Sequence, residues 1–132
     1  MSTNHQVFLS LIIDPFGSEI LLEANGPNGT PMPDNTTDVY QGDTVEWLLA
    51  ENSGIKSIDN IYPTDDVLFS SVPFQALENN WTAVVNANVP PEEKPYTYHI
   101  DVTPLPDSDI EPLAENVKVL SFDPKIRVRP SH

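Results

Sequence analysis

The chain has 132 residues, no cysteine and a formal charge of −14, from 20 acidic against 6 basic side chains. That length suits one domain with a core of its own. The absence of thiols excludes disulfides, thiolate metal ligands, iron–sulfur clusters and cysteine nucleophiles together, and the acidic balance argues against nucleic acid or an anionic membrane surface as partner.

Residues 6–13, Gln-Val-Phe-Leu-Ser-Leu-Ile-Ile, are rich in β-formers and stop at the turn signal Asp14-Pro-Phe-Gly17. A short apolar run at 19–24 follows, and then a loop at 25–35 dense in Pro, Gly and Asn. From Asp43 the pattern alternates, with Val45, Trp47 and Leu49 on one face and Thr44, Glu46 and Leu48 on the other. Residues 51–63 have a mixed pattern broken by Gly54 and Tyr62-Pro63. Segments 65–71 and 73–80 each suit a short strand or a helical turn, and 81–87 reads as a strand.

The proline-stiffened connection 90–95 leads into a second alternating strand. Tyr96, Tyr98, Ile100 and Val102 form its apolar face, opposite Thr97, His99, Asp101 and Thr103. A polar loop spans 103–115, and strands at 117–122 and 125–129 close the chain. The 14 prolines are scattered between these runs, as turn and edge punctuation. Short strands separated by turn chemistry predict an all-β fold, an antiparallel β-sandwich of seven or eight strands. Its core is expected from Val7, Leu9, Leu11, Val45, Trp47, Leu49, Val84, Tyr96, Tyr98, Ile100, Ile126 and Val128. Residues 1–132 are expected to form a single domain, with flexible tails at 1–5 and 130–132. The start carries no basic n-region, and the apolar run 7–13 is too short to span a bilayer. As given, the chain reads as soluble and cytoplasmic; removal of a leader would make it secreted or periplasmic.

Two segments carry a family resemblance. Val39-Tyr-Gln-Gly-Asp-Thr-Val-Glu-Trp47 resembles the cupredoxin strand in which a Gly-Asp turn precedes a Val-x-Trp core pair. Pro95-Tyr-Thr-Tyr-His-Ile100 resembles that family's late Tyr-x-Tyr/Phe-x-Cys strand, and Asp123-Pro-Lys-Ile-Arg-Val128 its closing strand. The resemblance implies a Greek-key, cupredoxin-like sandwich over most of residues 6–129. It also implies where blue-copper ligands would fall, and there the chain departs from the family. Ile100 stands at the Cys position, no His follows before His132, and the region of the first His reads Lys56-Ser-Ile-Asp-Asn60. A type-1 copper centre needs two imidazoles and a thiolate, so that chemistry is excluded.

Other chemistry is sparse. No Gly-x-Ser-x-Gly elbow, His-Glu-x-x-His helix or glycine-rich phosphate loop occurs, so neither enzymatic activity nor a cofactor is expected. Imidazole suits copper without a thiolate, which makes His99, with His5, one candidate metal pair. Asp107, Asp109 and Glu111 alternate along one loop and are candidate oxygen ligands for calcium, although the Gly and distal Glu of the helix–loop–helix motif are missing. Trp81 and Tyr62 are candidate platforms for a glycan or protein partner. Lys125, Arg127 and Arg129 share one face of the last strand, either pairing with acidic neighbours or forming an anion-binding stripe. The leading expectation is a copper-free, non-catalytic binding or assembly module for a protein or glycan, with apolar residues left exposed on one sheet or rim. The alternatives are a metal-binding protein and a carbohydrate-binding sandwich.

Overall fold

The computed structural model describes residues 3–13, 20–105 and 119–130. Their strands, in chain order, are β1 (Asn4–Ile13), β2 (Ile20–Asn25), β3 (Thr36–Val39), β4 (Thr44–Leu49), β5 (Ile55–Pro63), β6 (Phe74–Leu77), β7 (Asn80–Val84), β8 (Tyr96–Pro104), β9 (Leu120–Phe122) and β10 (Lys125–Val128). The Pro- and Asn-rich loop between β2 and β3 holds two short 3-10 turns, Pro27–Gly29 and Pro33–Asn35. No helix among the described residues is long and apolar enough to cross a membrane.

The strands form two sheets. The first has the order β2-β1-β4-β7-β6; the second runs β3-β10-β8-β5, with β9 also paired to β8. Both are mixed, not purely antiparallel as expected, because β1 runs parallel to β4 and β3 parallel to β10. The buried faces of the two sheets share one core. Val7, Leu9, Val45 and Trp47 of the first meet Tyr98, Ile100, Ile126 and Val128 of the second, all with no exposed surface. Alternate residues of β4 and β10 are buried, as period-two patterning requires.

The Gly-Asp turn is as its sequence dictates. Gly42 takes φ +84°, a left-handed value at the third position of a turn closed by Asp43 N–H donating to the Tyr40 carbonyl at 3.1 Å. Asp43 then caps the junction from inside. Its carboxylate accepts the Thr3 N–H at 3.0 Å and the Tyr40 N–H at 2.9 Å, and lies 2.7 Å from His5 Nε2. Asn4 and His5, expected in a flexible tail, are therefore strand residues paired with Thr44 and Val45.

Two core assignments are reversed on β7. Trp81, expected to be exposed, is buried at 8% exposure, and its indole N–H donates to the Ile58 carbonyl at 3.2 Å. Val84, expected in the core, faces solvent at 42%. Trp81, Ala83 and Val85 are the inward set, and a one-residue error in parity exchanges both faces of a strand. Leu49 and Tyr96 are only partly buried against the core.

Candidate interaction edge and outer faces

The predicted site residues separate into distinct neighbourhoods. On the outer face of the second sheet, β5 and β8 bring Tyr62 opposite His99, and the two rings stack with centroids 4.8 Å apart and planes at 30°. His99 Nδ1 contacts Asp123 Oδ1 at 2.5 Å, and Nε2 lies 3.0 Å from Thr64 Oγ1. Carboxylate, imidazole and hydroxyl thus stand in line. The line lies on an open face with the Asp123 side chain 64% exposed.

Neighbouring polar groups on this face satisfy one another in the same way. Asp59 accepts from Ser57 and Thr103, and Asp101 accepts from Ser121. Among the described residues, no three His, Cys, Asp or Glu side chains are grouped to hold a metal ion. His5 is bonded to Asp43 in the first sheet while His99 is bonded within the second, so the copper pair is not assembled. Asp107, Asp109 and Glu111 lie outside the described residues.

Lys125, Arg127 and Arg129 follow the alternation of β10, with Ile126 and Val128 buried between them. Arg127 sits beside Asp38 across the parallel β3–β10 ladder. It donates through Nε at 2.8 Å and through a second guanidinium nitrogen at 3.0 Å. The arginine is thus engaged by an acidic neighbour, as the first of the two sequence readings holds. Arg127 and Arg129 also line an open groove of about 570 Å³ with Glu92, Glu93, Pro91 and Pro130. Two carboxylates thus stand beside two guanidinium groups along its walls.

The outer face of the first sheet differs. Glu46, at its centre, accepts from the amides of Asn4, Gln6 and Asn80 at 3.4, 3.2 and 3.0 Å. The Gln6 and Asn80 bonds, with that of Asn4, outweigh desolvation and hold its carboxyl below the usual range. Beyond it the sheet ends in β6, whose four residues are all exposed. Phe74 is 54% and Leu77 70% exposed, with Val72 at 69% just before the strand.

Local geometry explains why both large β6 side chains face solvent. Phe74 pairs with Thr82 and Leu77 with Asn80, the outward residues of β7, and an irregularity between Gln75 and Leu77 absorbs the odd spacing. The β6–β7 turn is anchored from below. Asn79, at φ +56°, accepts from the Ile58 N–H at 3.0 Å and donates to the Lys56 carbonyl at 3.1 Å. β6 is therefore a held edge with apolar side chains outward. Among the described residues no strand pairs with its free side.

No family model matches this chain. No curated protein matches it.

Proposed function

We propose that the chain is a cupredoxin-like Greek-key β-sandwich without a copper centre, and that it works as a non-catalytic module that binds or assembles with protein. Neighbouring strands that are distant in sequence, β1 beside β4 and β4 beside β7, support a Greek-key arrangement. The Gly42-Asp43 turn leading into buried Val45 and Trp47, and the contact of Trp47 with Tyr98, support the family resemblance. The donor set does not fit type-1 copper. The chain has no thiolate, and Ile100 is buried in mid-strand between Ile61 and Phe122. After equilibration with copper(II) and removal of free metal, elemental mass spectrometry is expected to find far less than one copper per chain. Stoichiometric copper would overturn this part of the reading.

The observation that carries the functional part is the β6 edge. Natural sheets guard an edge strand with charge, proline or cover; Pro73 stands just before β6, but the strand itself presents Phe74 and Leu77 to solvent. Strand addition to such an edge is an established mode of recognition. Trp81, on which the glycan reading mainly leaned, is buried, while Tyr62 stays exposed against His99. The test compares the wild-type chain with Leu77→Lys as matched baits in native extract. Leu77 is so exposed that the variant should fold normally. Bound protein is expected to fall at least about tenfold on the variant, the ratio set by about 1.4 kcal/mol. Equal recovery on both baits would remove β6 as the binding edge.

A further inference from the structure

We propose that the partner at β6 is a second copy of this chain. Two β6 strands would pair antiparallel about a twofold axis and extend the first sheet across a dimer. The inference rests on the module reading above and names its partner.

Two observations favour a second copy. The first is charge. Residues 70–77, Ser-Ser-Val-Pro-Phe-Gln-Ala-Leu, contain no ionisable group in a chain of net charge −14. A basic partner, attracted by the overall charge, finds no carboxylate on this strand to pair with. A copy of the strand finds no like charge opposing it. Glu78 is the nearest carboxylate in sequence. With the axis between Gln75 and Ala76, the two Glu78 residues stand five positions apart along the paired strands. At about 3.4 Å per residue that is about 17 Å, beyond the screening length of about 8 Å at physiological ionic strength.

The second observation is register. The same axis sets Phe74 of one copy opposite Leu77 of the other, twice by symmetry. The irregularity that turns both side chains to the solvent face of β6 makes these pairs possible, since residues three apart on a regular strand face opposite ways. Each pair would join an aromatic and an aliphatic side chain that are now 54% and 70% exposed. Four residues of strand bury less than the roughly 800 Å² per partner of a standard interface, so the dimer is weak and reversible.

Sedimentation velocity of the purified full chain, from about 10 µM to about 1 mM, tests the proposal over the range in which such dimers form. The weight-average coefficient is expected to rise toward that of a dimer as concentration increases. Added salt should strengthen the association, because it screens the repulsion between two acidic chains. Leu77→Lys should remain monomeric throughout with an unchanged circular-dichroism melting midpoint. That variant lowers the net negative charge, so loss of dimer cannot be ascribed to greater overall repulsion. A wild-type chain that stays monomeric at every concentration overturns the proposal. So does a dimer that persists in Leu77→Lys, or one that salt dissolves, which would indicate charged contacts elsewhere. A monomer whose extract partner still depends on Leu77 overturns the second copy alone and leaves the module reading intact. Loss of both effects removes both.

Discussion

Replacing Asp43 with alanine is expected to destabilise the fold by about 3 kcal/mol, because a buried carboxylate with charge-assisted hydrogen bonds is removed and its donors are left behind. Asp43 is only 2% exposed. Its two oxygens serve the Thr3 and Tyr40 N–H groups and contact His5, while its carbonyl accepts the Val85 N–H at 2.7 Å. One residue therefore ties the start of β1, the β3–β4 turn and the chain just after β7. In a domain of this size the loss corresponds to a fall of about 10 °C in the melting midpoint. Asparagine is a poor substitute, since its amide would point N–H groups at a backbone N–H or the imidazole.

The pH dependence of the same site has a definite sign. Desolvation alone would raise the Asp43 pKa, but the Tyr40 and Thr3 N–H groups together with His5 outweigh it and hold it below 3.8. A carboxyl whose folded value is depressed contributes stability above its unfolded value. That contribution is lost as pH falls through the folded value. Urea midpoints of the wild type and Asp43→Asn should therefore differ most near neutrality and converge in acid below pH 3.8. A difference that persists unchanged into strong acid would mean that the carboxylate charge is not the stabilising element.

What the sequence made legible, and what it hid, follows from local geometry. β4, β8 and β10 were readable because each alternates through its central residues, and Val45, Trp47, Tyr98, Ile100, Ile126 and Val128 are all buried as expected. β5 was obscured by its own irregularities. Its buried residues are Ile55, Ile58 and Ile61, a spacing of three that imitates a helix, and register shifts follow Ile55 and Ile58. On β7 the flanking Asn79-Asn80 suggested that Trp81 lay at an exposed strand start. The parity is set instead by pairing, since Trp47 and Trp81 stand opposite each other across the β4–β7 ladder. The candidate edge was the least legible feature. Phe74 and Leu77 are ordinary strand residues in sequence, and only the order of the first sheet puts them at its margin. The outward position of His99 did follow from alternation. Its stacking with Tyr62 required the β5–β8 register, which no local pattern contains.

Trp47→Ala is expected to cost about 4 kcal/mol, within the range for truncating a buried aromatic residue, and to abolish cooperative unfolding in a marginal background. Trp47 has no exposed surface and stands edge-on to Phe69, with centroids 6.0 Å apart and planes at 82°. Its indole N–H donates across the core to the Tyr98 hydroxyl at 3.0 Å, joining β4 of one sheet to β8 of the other. Burial pushes the Tyr98 phenol well above its usual range. The polar link can be separated from the packing. Tyr98→Phe keeps the ring but leaves the Trp47 N–H buried without an acceptor, and should cost about 1–3 kcal/mol. Trp47→Phe adds a cavity and removes the donor. In the double variant neither polar group remains to be left unsatisfied, so its loss should be smaller than the sum of the two single losses by about 1 kcal/mol. Denaturant unfolding of all four proteins measures that difference. A strictly additive cycle would mean that shape alone holds the sheets together at this point. A coupling of the expected sign would make the Trp47–Tyr98 hydrogen bond a determinant of how the two sheets register.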